Sequence, residues 1–418
     1  MRIEIVTIGN EVLSGRTLDT NFAFLARALE RVGVQVGWHT TVGDDGQAIG
    51  DALRAALARA DAVVTTGGLG PTPDDITRAA VARVLGRPLT RDDAVLERIR
   101  ERMRRLGRAF PESVETQAML PEGASTWLNR LGTAPGIVIE QDGKPLAMLP
   151  GVPQEMEGLA REHLVPWLQK RSGLAVETFT LRTAGAFETM LQEAIGALPD
   201  GWPGATLAYL PSWTGVDLRV TVAGRDADAV RATATRAREQ LMSRVEPVVY
   251  AEGERGMEDV VGESLKQLGW RLATAESCTG GLLAKRVTDV AGSSAWFERG
   301  FVTYSNTSKI ELLGVRSGDI EAHGAVSAPV AEQMAEGARK RAGVEVGIGI
   351  TGVAGPGGGS EEKPVGTVFI AVASPRGAAG RKLNITGPRN AVRERSAQAA
   401  LDLVRRNLVG LPVEPRLG

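Results

Sequence analysis

The sequence predicts an α/β protein in which two regions of alternating strands and helices flank a small central α+β module. Three observations predict it. The first and last thirds alternate apolar strand-like runs with amphipathic helical runs, the pattern of parallel strands joined by right-handed crossovers. The middle third pairs alternating strands with helices around a segment rich in Gly, Pro and aromatics. The length of 418 residues requires two or three domains at roughly 150 residues each. The boundaries expected are 1–172, 173–252 and 257–415, with the polar run 251–259 as linker.

IEIVTIG (3–9) reads as a buried strand, NFAFLARALERVG (21–33) as a helix ending at Gly, VQVGWHTTVG (34–43) as a strand and IGDALRAALARA (49–60) as a helix. DAVVTTGG (61–68) is a strand running into glycines. DDITRAAVARVLG (74–86) reads as a helix with acids in its first turn and Gly at its end. Two apolar runs around Asp142-Gly143 make a hairpin, and 153–171 is helical with a break near Pro166. In the middle, 177–185 and 216–224 alternate as strands, while 188–198 and 227–245 are helical. The last third opens with a helix (MEDVVGESLKQLG), a strand (WRLATAES), a helix (TGGLLAKRVTDV) and the strand FVTYS. It continues with a helix from Ser327, strands VEVGIGITG and GTVFIAVAS, and a long amphipathic helix from Asn390.

Composition narrows the function classes. Hydrophobic residues make up 43% and charged residues 24%, which excludes wholesale disorder. The net charge of −1 leaves no basic excess to draw nucleic acid or an anionic membrane, so neither is expected as a direct partner. No apolar run approaches the roughly 18 residues of a membrane span. The chain begins directly in a strand pattern without a basic and then apolar leader, so a cytoplasmic protein is expected. A single cysteine, Cys278, excludes an internal disulfide and a multi-thiolate zinc site. The three histidines, His39, His163 and His323, lack metal-binding spacing, which leaves oxygen ligands and a hard cation as the open option.

Two constellations could carry chemistry. The first, Thr65 to Asp75, follows a strand and holds Gly67, Gly68 and Gly70, then Asp74 and Asp75. Glycines there let a backbone approach a ligand, amides at a helix start hold phosphate oxygens, and the two carboxylates could hold a divalent cation. The plain alternative is a turn with two acids facing the helix dipole. Glu11 lies in a companion loop, Thr7 to Gly15, also at a strand end. In an open parallel sheet both loops would face one crevice.

The second constellation is Glu276-Ser277-Cys278-Thr279-Gly280-Gly281, then Ser293-Ser294, Tyr304, Lys309, Thr351 and the loop containing Gly355 and Gly357. Ser277 alone reads as a helix N-cap, and Cys278, Trp296 and Phe297 as core. No histidine is placed to activate a serine, so a Ser–Lys–Tyr set is the alternative. A free lysine has a pKa near 10.4, and serving as a base near neutrality requires a shift of about three units, roughly 4 kcal/mol. Lys309 must therefore be poorly solvated. Arg389 at the start of the last helix opposes the dipole, which points to an anion there.

GNEVLSG, TTGGLGPTPDD, LPGVPQEM, ESCTGG, GSSAWFERGFVTYSN and GVAGPGGGSEEKPVGTV together resemble the CinA (competence/damage-inducible) family over nearly the whole chain. The resemblance implies an N-terminal three-layer molybdopterin-binding-like domain and a C-terminal amidohydrolase domain. The family usually carries Asp where this chain has Asn10. The implied reaction is hydrolysis of the carboxamide of nicotinamide mononucleotide to nicotinate mononucleotide and ammonia, without a cofactor. Ser294 or Ser277 would attack, Ser294 being the first choice. Lys309 and Tyr304 would relay the proton, and Thr351 with backbone amides would hold the oxyanion. Arg389 and the loops of Gly280, Gly281, Gly355 and Gly357 would hold the phosphate. Some family members carry a metal-dependent ADP-ribose pyrophosphatase in the N-terminal domain, which here implies a site of Glu11, Gly67, Gly68, Gly70, Asp74 and Asp75, with the two aspartates as metal ligands. A homodimer is the implied assembly. The rival readings are a non-catalytic nucleotide- or pterin-binding protein acting through partners in competence, and a phosphohydrolase centred on Asp74 and Asp75.

Overall fold

The computed structural model describes residues 1–107, 110–197, 202–415 and 417. The chain forms two compact units, Met1–Glu177 with Val222–Ala232, and Thr178–Thr221 with Thr233–Gly418.

The first unit contains β1 (Arg2–Ile8), α1 (Asn10–Leu13), α2 (Thr20–Glu30), β2 (Gln35–Val42), α3 (Gly46–Arg59), β3 (Ala62–Thr66), α4 (Thr77–Leu85), β4 (Leu89–Arg91) and α5 (Asp93–Arg105). Next come β5 (Met119–Pro121), β6 (Ser125–Trp127), β7 (Gly136–Gln141), β8 (Lys144–Leu149), α6 (Pro153–Leu159) and α7 (Val165–Ser172). Six strands form one sheet in the order β2-β1-β3-β8-β7-β6. β1 runs parallel to β2 and β3, and β3 runs parallel to β8. The β7–β8 hairpin turns at Asp142-Gly143, as its two apolar runs predict. Alternation along β1 sends Ile3 and Ile5 into one core with Leu25 and Met156, and Val6 and Ile8 into another with Leu53 and Val81. Helices therefore cover both faces, which makes the expected three layers.

Three details differ from expectation. The helix expected from Asp74 begins at Thr77, and its first turn holds no acid, because Asp74 and Asp75 belong to the loop before it. The break near Pro166 is a π-helical turn, Ala160–Leu164, next to a residue that lacks an amide hydrogen. α5 is an element beyond those expected, and Asp92 caps it by accepting the Ala94 and Val95 amides.

The small module holds β9 (Ala175–Thr183), α8 (Glu188–Ile195), β10 (Ala205–Pro211), β11 (Val216–Gly224), α9 (Ala227–Val245) and β12 (Val249–Glu252), in a sheet ordered β10-β11-β9-β12. The Gly/Pro/aromatic segment thus contains a strand, β10, at the sheet edge, where Pro211 is tolerated. The described part of the helix expected over 188–198 ends at Ile195, and Leu198 lies outside the described residues. The linker expected at 251–259 shortens to 253–256.

The remainder comprises α10 (Met257–Leu268), β13 (Leu272–Glu276), α11 (Leu282–Asp289), β14 (Phe297–Val302), α12 (Asn306–Leu313), α13 (Ser317–His323), α14 (Ala328–Ala342), β15 (Val346–Gly352), β16 (Thr367–Ser374), β17 (Gly377–Asn384) and α15 (Arg389–Val409). The sheet order is β14-β13-β15-β16-β17. β13 is parallel to β14 and β15, whereas β16 and β17 continue antiparallel. Leu272, Val346 and Ile348 share one core with the fully buried Trp296, and Ala273 and Ala275 pack on the other face with Met334. Small residues let α14 lie against β15: a Cβ on Gly349 would fall 2.2 Å from the Ala331 carbonyl oxygen. Gly349→Ala should push α14 outward and destabilise the protein by about 1–3 kcal/mol. Calorimetry should show the unfolding midpoint falling by several degrees; an unchanged midpoint would refute this packing argument.

Candidate active site

The carboxyl end of β13 carries the turn Ser277 to Gly281. Glu276, the last residue of β13, is buried. Its Oε2 accepts the Gly281 and Leu283 amides, both at 3.0 Å, and its Oε1 accepts the Ala284 amide at 2.9 Å. The carboxylate thus satisfies the free amides of the start of α11 and meets the positive end of its dipole. Glu276, not Ser277, caps this helix, and the serine hydroxyl is left for other work.

Ser277 is anchored by its amide to the Ile350 carbonyl on β15. Lys309, on the first turns of α12, is 1% exposed, and its Nζ lies 3.1 Å from the Ser277 Oγ. The same nitrogen lies 2.8 Å from the Thr303 carbonyl oxygen and 3.4 Å from that of Tyr304. Among the described residues no carboxylate pairs with it. Burial pushes the Lys309 pKa below its ordinary value, with the nearby Cys278 acting in the opposite direction. Cys278 is itself buried, and burial pushes its thiol up to about 11, so it stays protonated near neutrality. A neutral amine fits the three contacts: two N–H bonds go to the carbonyls and the lone pair accepts the Ser277 hydroxyl hydrogen.

Arg389, at the start of α15, donates through Nη1 to the Gly355 carbonyl at 2.7 Å and through Nη2 to the Tyr304 hydroxyl at 3.3 Å. Arg393, one turn on, grips the Thr279 carbonyl through Nε and Nη2. Ser277, Gly280, Gly281, Tyr304, Lys309, Thr351, Gly355 and Arg389 therefore gather at one end of one sheet. Gly357 lies in the same loop as Gly355 but is exposed, and a Cβ there would meet nothing within 4 Å.

Three expected roles are corrected. Ser294 does not share this site within one chain. It precedes β14, whose Phe297 pairs with Leu272 at the start of β13, whereas Ser277 follows the end of β13. A five-residue strand spans about 16 Å, so Ser294 sits at the opposite edge of the sheet from Lys309. Ser277 is the serine in reach of the base. The Tyr304 hydroxyl is on Arg389, and what Tyr304 offers Lys309 is its backbone carbonyl. The Thr351 hydroxyl donates to the Ala325 carbonyl at 2.8 Å, so its hydrogen is not available to an oxyanion.

In the first unit, the carboxyl ends of β1 and β3, parallel neighbours, open on a cavity of about 550 Å3 that Glu11, Gly67, Gly68, Gly70, Asp74 and Asp75 help to line. Gly67 adopts φ 108° and lies so close to β1 that a Cβ would fall 2.0 Å from the Ile8 carbonyl oxygen. Asp75 is committed to its own loop: Oδ1 accepts the Gly70 amide at 2.7 Å, and Oδ2 accepts the Thr72 amide at 2.8 Å and the Thr72 hydroxyl at 2.5 Å. Arg78, buried beneath, donates to the Leu69 and Gly70 carbonyls. Asp74 is exposed, and the neighbouring Thr72 side chain lowers its pKa. The pair does not fit the expected metal site, because both Asp75 oxygens are spent on the loop. Among the described residues no three His, Cys, Asp or Glu side chains converge as a metal set would.

Residues 4–170 match the probable molybdopterin binding domain, 178–251 the damage-inducible protein CinA KH domain, and 254–408 the CinA C-terminal domain. A CinA-like protein of Gemmatimonas aurantiaca is 45% identical over 97% of this chain and 96% of its own length. The chain belongs to the CinA family. A CinA-like protein of Chlorobaculum tepidum is 46% identical over 90% of each chain. The crystal structure of the competence/damage inducible protein CihA from Agrobacterium tumefaciens, 40% identical, covers 35% of this chain and 93% of its own, with a TM-score of 0.34.

In this CinA-family chain, Glu276 gains a role that its place in the string did not give it: with Arg393, which the sequence did not single out, it holds the Ser277–Gly281 turn. Asp19, Asn21 and Gln117, also not singled out, help to line the N-terminal cavity. Only Glu276 had a local mark, a carboxylate between a strand and a Gly-Gly helix start. Among the described residues no helix is long and apolar enough to cross a membrane. Asp75→Asn halves the acceptor capacity that closes the glycine loop. Chemical denaturation should show a loss of about 1–2 kcal/mol; a variant as stable as the parent would remove the loop role assigned to Asp75.

Proposed function

We propose that the C-terminal site hydrolyses the carboxamide of nicotinamide mononucleotide, with Ser277 as nucleophile and Lys309 as its base. The observation that carries this is a buried lysine, without a carboxylate partner among the described residues, 3.1 Å from a serine hydroxyl at a strand end. Lys309 takes the proton as Ser277 Oγ bonds to the carboxamide carbon. The tetrahedral intermediate collapses, the C–N bond breaks, and Lys309 gives its proton to the departing nitrogen as ammonia. Water then attacks the resulting ester, its proton passing to Lys309 and on to Ser277 Oγ, which releases the carboxylate. The oxyanion falls to backbone amides of the turn, of which the Thr279 N–H has no acceptor among the described residues. Arg389, with Nε not engaged by another described residue, is placed for the 5′-phosphate. The step requires no metal.

For the N-terminal cavity we propose binding of a phosphate-bearing nucleotide or pterin. The glycine loop and its tight approach to β1 support this reading. The ADP-ribose pyrophosphatase alternative depends on a metal that the side chains do not assemble. Metal-dependent cleavage of ADP-ribose by the purified protein would overturn the binding-only reading.

Ammonia release from nicotinamide mononucleotide should persist in a chelator. It should fall about a thousandfold or more in Ser277→Ala, with nucleotide affinity retained, and should survive in Ser294→Ala. Loss of activity in Ser294→Ala with retention in Ser277→Ala would reverse the assignment. The lowered Lys309 pKa sets the sign of the pH profile: kcat/KM should rise with pH as the amine loses its proton and level off below the ordinary lysine range. A profile still rising through the ordinary lysine pKa would refute Lys309 as a poised base.

A further inference from the structure

A cavity of about 610 Å3 lies in the second unit between the small module and the β17–α15 edge, on residues that the amidase reading does not use. Two aromatic side chains stand open there, Trp213 at 51% exposure and Phe187 at 69%. Large apolar faces left open inside a concavity mark a binding surface. The Arg395 guanidinium stacks over the Trp213 ring, 5.5 Å from its centre, and donates to the Thr386 carbonyl. Its charge has no carboxylate partner among the described residues. Of the other cations at the rim, Arg381 pairs with Glu414, and the Lys382 ammonium lies over Phe369 and, like Arg395, has no carboxylate partner among the described residues. Of the two acids in the lining, Asp402 is neutralised by the buried Arg405 and Arg406, and Glu188 accepts from the Gln192 amide at 3.3 Å.

A second, independent observation is Gln398, 4% exposed, which also lines the cavity. Its Oε1 accepts from Arg286 at 2.6 Å, which fixes the amide orientation, and its buried Nε2 has no partner among the described residues. A buried donor left unmatched is unfavourable and marks a place where an acceptor belongs. An aromatic face, a free guanidinium and an unmatched amide donor together describe one ligand chemistry: a planar heteroaromatic ring with an acceptor atom, joined to an anionic group.

We propose that this cavity binds a mononucleotide, its base stacked on Trp213 and accepting from Gln398, and its phosphate at Arg395. The site is separate from the Ser277–Lys309 centre and does not depend on the amidase reading. The test titrates the full chain with adenosine 5′-monophosphate by calorimetry, to about 5 mM, and reads the binding that differs between the parent and Trp213→Ala, because nucleotide held by the N-terminal cavity contributes equally to both. Trp213→Ala should weaken saturable binding about tenfold or more, Arg395→Gln should weaken it similarly, and ribose 5-phosphate, which lacks the base, should bind at least about tenfold more weakly. Amidase turnover in Trp213→Ala should match the parent. Absence of saturable binding, equal affinity in the parent and Trp213→Ala, or equal affinity for ribose 5-phosphate would each overturn the proposal. Trp213 is exposed, so its replacement leaves the fold intact, and Arg395→Gln gives a second reading of the same pocket.

Discussion

A lysine ammonium buried without a counter-charge is the constraint around which the C-terminal site is organised. Stripping a cation of water is unfavourable unless a carboxylate compensates, and among the described residues Lys309 is met by a hydroxyl, two carbonyls and a protonated thiol, with no carboxylate paired to it. This environment lowers the Lys309 pKa, so the amine loses its proton more easily than a free lysine does. Everything that shapes the pocket sustains the condition. Glu276, the carboxylate nearest in sequence to Ser277, is turned away and spent on three helix amides, so it does not restore the positive charge. The Cys278 thiol, pushed up by burial, stays uncharged for the same reason. The buried carboxylate is satisfied by helix amides, and the buried amine by two carbonyls and the Ser277 hydroxyl.

That separation follows from topology. β13 is an interior strand with parallel neighbours on both sides, so the turns after β13, β14 and β15 emerge at one end of the sheet. Ser277 follows β13, Lys309 follows β14, and Thr351 lies near the end of β15. Arg389 and Arg393 then reach across from α15 to tie down Gly355, Tyr304 and Thr279. A guanidinium fork suits this work, because it bonds carbonyls that a helix or strand leaves unmatched and still presents charge to a ligand. The N-terminal cavity repeats the principle with different chemistry. There β1 and β3 end side by side, and a carboxylate, Asp75, closes the glycine loop from inside.

Much of this was legible in the residues. Alternation of strand and helix gave the layered units, and the glycine turns at strand ends marked both sites. The need for a poorly solvated Lys309 followed from its free pKa alone, and the structure buries it. What the sequence hid is of two kinds. Short-range grammar was ambiguous where a side chain turns back on its own loop: Asp74 and Asp75 look like first-turn acids until Asp75 is seen accepting the Gly70 amide. Strands of three residues, such as β4 and β5, carry too little periodicity to detect. Long-range register was the other gap. Ser277 and Ser294 lie in equally suggestive strings, and only the parallel pairing of β13 with β14 shows that one follows its strand while the other precedes it.

The same pairing explains why the serine without a base still sits in a distinctive segment. Ser294 belongs to the tight turn before Trp296, whose indole is fully buried and packs so near Gly262 that a Cβ there would fall 2.7 Å from the ring. The Trp296 carbonyl accepts the Leu272 amide at 2.7 Å and sets the start of β13. The GSSAWF string therefore governs the amino end of the strand whose other end holds Ser277. A shift at Trp296 would move the register of β13 and with it the distance from Ser277 to Lys309. Packing at one end of the strand thus bears on the geometry at the other.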